Sequence, residues 1–242
     1  VSRLITVLGM HRSGTSAVAG LLADHGVGFG WMRESNAFNP RGNRENRELR
    51  WLHDEILERS GGSWFDPPEQ VELEPGDRER RDEELAGFEG DVVAVKDPRL
   101  LLLMDLWRDL EPSSIGVIRN PVAVRESLER RSLRKRPDQK RARQHRNPQL
   151  DPKDWERLWC TYNERLLEEV AAGDVPVVDF DRAEALDEQV RRALESLGVD
   201  APGSATFYDP ELATEVDEGW RERALLTRSV DLWERLSERA RP

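Results

Sequence analysis

The stretch Gly9-Met10-His11-Arg12-Ser13-Gly14-Thr15-Ser16 gathers two glycines, three hydroxyls and a cation within a few residues. It follows a β-branched apolar run at 4–8 and precedes residues 16–22, whose apolar spacing predicts a helix. A turn so placed aims successive backbone N–H groups at one point, and the helix N-terminus adds partial positive charge, so the expected occupant is an anion. A plain strand-to-helix turn with a Ser/Thr cap is the alternative. It accounts for neither the second glycine nor the clustering of Arg12, Ser13, Thr15 and Ser16.

The glycine spacing matches a nucleotide P-loop, but Thr15 stands where the phosphate-reaching lysine would be, and the basic residue is Arg12, inside the loop. A P-loop kinase needs that lysine, and usually Mg²⁺, to neutralise several negative charges. A phosphosulfate carries less charge at its transferable end. Backbone amides, hydroxyls and one loop cation would serve it without a metal.

A second anchor lies further along. Residues 115–118 read as a strand ending in Arg119-Asn120-Pro121, and Ser127 follows eight residues after Arg119, in the next predicted helix. An arginine at a strand's carboxyl end and a serine two turns into the following helix can converge on one anion, where open α/β sheets bind ligands. Taken alone, such a pair is more often simply solvated.

Together the two anchors resemble the PAPS-dependent sulfotransferases (PAPS is 3′-phosphoadenosine 5′-phosphosulfate), particularly bacterial members with a GMHRSGTS-type loop. Val95-Lys96-Asp97-Pro98-Arg99 is similar to a further block of that family, and residues 155–180 to its late helix and strand, so that the likeness runs from about residue 4 to residue 198. The resemblance implies a P-loop nucleoside-triphosphate-hydrolase-like fold: an α/β, three-layer αβα architecture with a central parallel sheet. It further implies that His11, Arg12, Ser13, Gly14, Thr15 and Ser16 bind the 5′-phosphosulfate and that Arg119 and Ser127 hold the 3′-phosphate. The donor would be PAPS, the product PAP (adenosine 3′,5′-bisphosphate), and no metal is expected.

Sulfuryl transfer needs positive charge at the leaving oxygen, an acceptor made nucleophilic, and alignment of the two. Arg12 suits the leaving oxygen, and Lys96 the sulfuryl group or the acceptor. Glu45 is the first choice of base, because residues 39–45 resemble an Asn-Pro-(Lys/Arg)-Gly-aromatic-aromatic-Glu block of bacterial relatives, with Asn43 and Arg44 in place of the aromatic pair. Glu34 and Asp97 are the runners-up. Glu45 as a carboxylate favouring a helix N-terminus, and Lys96 with Asp97 as a structural ion pair, are the competing roles.

The elements that must position these groups alternate. Strands are predicted at 4–8, 92–95, 115–118 and 175–178, and helices at 16–22, 43–59, 100–110, 122–133, around Trp155, Trp159 and Tyr162, and at 190–197. Strands alternating with helices imply parallel pairing through crossovers. Residues 66–84 suit a solvated loop and helix, 134–152 a basic flap, and 220–240 a C-terminal helix packed on the one domain expected over residues 1–242. Ten basic residues against three acidic ones between 125 and 146 would either steer anions to the cleft or merely balance the acidic remainder.

Composition narrows the function further. A net charge of −11 argues against general nucleic-acid binding. One cysteine, Cys160, allows no internal disulfide, and the four histidines do not cluster at ligand spacing. No stretch approaches a membrane span, and residues 1–14 lack a secretory cleavage pattern, so a cytoplasmic protein is expected. The leading expectation is a sulfotransferase acting on a hydroxyl or amine of a carbohydrate or small natural product. Acceptor contacts are expected in loops 28–44, 62–76 and 134–152, with Trp31, Trp64 and Phe65 as candidate platforms. The alternatives are a P-loop kinase, for which Val178-Asp179 is the nearest imitation of an Mg²⁺-holding strand end, and an inactive nucleotide-binding module.

Overall fold

The computed structural model describes residues 2–30, 44–133, 149–202 and 219–240. Its centre is a sheet of four parallel strands, β1 (Arg3–Leu8), β2 (Val92–Lys96), β3 (Ser113–Ile118) and β4 (Val177–Asp179), in the order β2-β1-β3-β4. Strand β1 pairs Val7 with Lys96 on one side and Leu8 with Gly116 on the other. Strand β3 pairs Ile118 with Asp179.

Alternate side chains face opposite layers, as a pleated strand requires. Ile5, Val7, Ala94, Ile115, Val117 and Val178 join one buried cluster with α1 (Thr15–Asp24) and α6 (Leu186–Ser196). Leu8, Val95, Ile118 and Val177 join the other with α2 (Arg47–Arg59), α4 (Pro121–Leu133) and α5 (Pro152–Ala172). Both faces are covered, so the strands read as continuous apolar runs, and the expected three-layer α/β architecture is what forms. The polar interruptions satisfy each other: Thr6 and Ser114 share a buried hydroxyl hydrogen bond of 2.8 Å. Helix α3 (Pro75–Leu85) lies in the acid-rich stretch, opened by Glu74 and Asp77 in a reciprocal cap.

Three elements differ from expectation, each for a local reason. Residues 100–110 form three 3₁₀ turns, Pro98–Leu102, Met104–Leu106 and Arg108–Leu110, instead of an α-helix. Leu100, Leu101, Leu102 and Leu103 are all buried, so the run has no polar face for a longer helix to turn outward. The helix expected from 43 starts at Arg47, where Asn46 accepts the Leu49 amide at 3.0 Å. The C-terminal segment breaks into α7 (Trp220–Arg223) and α8 (Thr227–Arg239). The fully buried carboxylate of Glu156 draws in the amides of Leu225 and Leu226 and the Ser229 hydroxyl, and holding that bend excludes one continuous helix.

Glu34, Trp31 and most of the basic segment, residues 134–148, lie outside the described residues. No described helix is long and apolar enough to cross a membrane.

Candidate functional site

The turn between β1 and α1 owes its shape to alternating backbone conformation. Arg12 has φ 70°, Gly14 has φ 91°, and Ser13 between them is not left-handed. Left-handed residues set one apart in a tight turn are a backbone arrangement in which successive N–H groups can line a concavity suited to an anion. A non-glycine residue at positive φ costs ~1–2 kcal/mol, which makes Arg12 a strained residue held by its surroundings.

Both glycines are sterically required. A Cβ at Gly9 would lie 2.7 Å from the Val117 carbonyl, and one at Gly14 would lie 2.2 Å from the Phe180 ring. Ser13 is fully buried and its hydroxyl has no hydrogen-bond partner among the described residues; the same holds for His11 Nε2. Buried polar atoms left unmatched cost free energy, and a bound polar group at the turn would offset that cost. The donor set of amides, hydroxyls and one guanidinium fits a phosphosulfate.

His11 packs on Trp64, ring centroids 4.3 Å apart, with Tyr162 edge-on at 6.3 Å. Burial, helped by the charge of Arg99, holds its imidazole pKa well below the usual histidine range, so it is neutral at pH 7. Trp64 also stacks near Trp155 and meets Phe65 edge-on, which makes it a wall behind the turn.

The two anchors meet in space. Arg12 Nε donates to Ser127 Oγ at 2.8 Å, and Arg119 Nη1 donates to the Arg12 carbonyl at 3.4 Å. Arg119 leaves the end of β3 with its own carbonyl held by Trp159 Nε1 at 3.1 Å. Asn120 caps α4 through the Ala123 amide and is gripped in turn by Asp181.

On the other side of the turn, Lys96 ends β2. Its ammonium donates to Glu45 Oε1 at 2.7 Å and to Ser16 Oγ at 3.2 Å. Glu45 sits one residue ahead of the Asn46 cap, outside helix α2, and reaches back across the strand end. Asp97 points elsewhere. It accepts from His53 Nδ1 at 2.9 Å and from the Arg99 amide and Nη1 at 3.0 and 2.9 Å, and Arg99 also reaches Asp54 at 2.6 Å. Burial pushes the Asp97 carboxyl up, but the Arg99 charge and the His53 hydrogen bond prevail and hold it well below the usual carboxylate range. Lys96 thus pairs with Glu45, and Asp97 with Arg99 and His53, instead of with each other. Thr15 is buried at the start of α1.

Sequence reasoning passed over Asn120, Trp159, Phe180 and Asp181, which brace the second anchor. Their signal was an Asp-Phe-Asp run closing a predicted strand, since strand ends build the ligand face of such sheets. Asp179, considered as an Mg²⁺ holder, is buried and accepts the Asp181 amide at 2.9 Å. Among the described residues, no three His, Cys, Asp or Glu gather as a metal site.

No protein-family model and no curated protein matches the chain. Solved structures do. The sulfotransferase domain of the Synechococcus PCC 7002 olefin synthase superposes with a TM-score of 0.53 at 16% identity, covering 98% of this chain and 94% of that one. The chain has a sulfotransferase-domain fold. The sulfotransferase domain from the curacin biosynthetic pathway gives a TM-score of 0.53 at 14% identity, with 98% of each chain covered. At such identities the likeness concerns the fold, and residue roles rest on the local geometry.

Proposed function

We propose that the protein is a sulfotransferase that moves a sulfuryl group from PAPS to a hydroxyl or amine of a carbohydrate or small natural product. The observation that carries this reading is the 2.8 Å contact between Arg12 and Ser127, with Arg119 against the same loop carbonyl. Groups suited to a 5′-phosphosulfate and to a 3′-phosphate are therefore immediate neighbours. A triphosphate kinase would need a lysine where Thr15 stands and gains nothing from the second anchor.

In this reading the amides of residues 12–16 and the Ser13, Thr15 and Ser16 hydroxyls cradle the phosphosulfate, with His11 as the neutral wall of the turn. Arg119 and Ser127 hold the 3′-phosphate. Glu45 takes the proton from the acceptor as the new bond to sulfur forms. Arg12 stabilises the charge that collects on the bridging oxygen as its bond to sulfur breaks, and PAP departs. Lys96 orients Glu45 and lends positive charge to the sulfuryl oxygens. No step calls for a metal.

The test combines calorimetry of PAP in the absence of Mg²⁺ with transfer of radiolabelled sulfuryl to a panel of carbohydrate and small-molecule acceptors. PAP binding with transfer is expected. Binding of PAP without transfer to any acceptor would favour an inactive nucleotide-binding module, and Mg²⁺-dependent binding of ATP in preference to PAP would overturn the reading in favour of a kinase.

A further inference from the structure

The end of β4 carries an arrangement that the proposed roles leave unexplained. The Arg119 guanidinium carbon lies 5.2 Å from the centroid of the Phe180 ring. The same ring presses on Gly14, where an added Cβ would fall 2.2 Å from Cδ2 and 2.3 Å from Cγ. Phe180 therefore stands between the phosphate turn and the second anchor and touches both.

Its backbone is fixed as firmly as its ring. The Phe180 amide donates to the Ile118 carbonyl at 2.9 Å, directly before Arg119 in the neighbouring strand. The next residue, Asp181, accepts from the Asn120 amide at 2.6 Å and from Asn120 Nδ2 at 2.8 Å, directly after Arg119. The Asp181 carboxylate stays 4.0 Å from Arg119 Nε. The backbone before Arg119 is thus clamped to Phe180 itself, and the residue after Arg119 to Asp181.

We propose that Phe180 is a positioning residue whose ring sets the spacing between the glycine turn and Arg119, and thereby the preference for a donor nucleotide that carries a 3′-phosphate. The inference rests on the reading of Arg119 as the 3′-phosphate anchor. The ribose is a short, stiff spacer, so the two phosphates of one nucleotide can be gripped together only if their protein partners hold a matching separation. A flexible arginine side chain does not hold one unaided. A ring face fixes the guanidinium plane electrostatically while leaving its N–H edge for an anion.

The experiment compares the affinities of PAP and AMP, which differ by the 3′-phosphate alone, in the wild-type protein and in Arg119→Gln, Phe180→Leu and Phe180→Tyr. Leucine keeps an apolar wall against Gly14 but has no ring face, whereas tyrosine keeps both. Phe180→Leu is expected to bind AMP as the wild type does and to lose about fivefold of its preference for PAP. Phe180→Tyr should retain the preference, and Arg119→Gln should abolish it. If Phe180→Leu fails to fold, as judged by its melting transition, Phe180→Met serves the same comparison.

An Arg119→Gln protein that keeps the wild-type preference would overturn the site reading itself. Loss of preference in Arg119→Gln but not in Phe180→Leu would overturn the inference and leave that reading standing. Equal weakening of AMP and PAP in Phe180→Leu, or loss of preference in Phe180→Tyr, would also overturn it, since the ring would then act on the turn alone or not through its face.

Discussion

Lys96 joins the carboxylate of Glu45, at 2.7 Å, to the hydroxyl of Ser16, at 3.2 Å, so one ammonium links the proposed base to the first turn of α1. If Glu45 accepts the acceptor's proton, Glu45→Gln lowers turnover by roughly 10²–10⁴-fold while PAP affinity stays within about twofold. Steady-state kinetics paired with calorimetry reads both quantities. Because Lys96 acts on the same carboxylate, Lys96→Met combined with Glu45→Gln is expected to be non-additive by about 1 kcal/mol or more in a double-mutant cycle. A near-native rate in Glu45→Gln would remove it from the role of base.

Gly14→Ala introduces a methyl against the Phe180 ring at a residue with φ 91°. The two penalties together are expected to destabilise the fold by about 2–4 kcal/mol and to abolish PAP binding. Urea unfolding and calorimetry check these separately. Unimpaired PAP binding would mean that the turn does not need its left-handed residue.

Asp97→Asn takes a charge from a buried group that Arg99 and His53 share, and removal of one member of a buried pair costs about 3–5 kcal/mol. The wild-type Asp97 carboxyl titrates below its unfolded value. Its contribution is therefore fully present above the ordinary carboxylate pKa and is lost as pH falls through the lowered folded value. Denaturant midpoints at pH 7 should separate the two proteins widely, and the gap should narrow progressively as the pH falls below the ordinary carboxylate value.

Asp179 has the opposite sign. Burial, and then the like charge of Asp181, push its carboxyl up to about 6. The folded protein holds that proton longer than the unfolded chain, so a cost develops as pH rises from about 4 to about 6 and persists above it. Asp179→Asn keeps an oxygen for the Asp181 amide and removes the charge. It is expected to raise stability by about 1–3 kcal/mol at pH 7–8 and to change little at pH 4. Equal midpoints at pH 7.5 would contradict the assignment.

The alternation of strand and helix was readable because each strand is buried on both faces and the helices packed on the sheet bury apolar residues. Residues 4–8, 92–95, 115–118 and 175–178 all fall at or beside observed strands. Residues 100–110 misled because a run as uniformly buried as Leu100 to Leu103 carries no period. The shape of the turn was readable because so tight a connection demands glycine at fixed places, and the proximity of Arg119 and Ser127 to it because a strand end and two helical turns fix their spacing.

Pairing was harder to read. Lys96 and Asp97 are adjacent in sequence, yet successive side chains on a strand point to opposite sides, so each found its partner elsewhere: Glu45 for one, Arg99 and His53 for the other. The C-terminal break was invisible for a similar reason. It depends on Glu156, a charged residue on α5 that periodicity alone would assign to solvent and that Arg125, Leu225, Leu226 and Ser229 surround.

Strand order has a consequence for how such a protein can diversify. Lys96, the glycine turn, Arg119 and Phe180 stand at four successive strand ends, in the sequence β2, β1, β3, β4. Glu45 comes from the long excursion of chain that separates β1 from β2, whereas Ser127 follows directly on β3. The groups proposed to meet the incoming molecule and those proposed to clasp the nucleotide are thus encoded in different stretches of the polypeptide. On the proposed reading, exchange of the first stretch would redirect what is modified without disturbing the currency in which the modification is supplied.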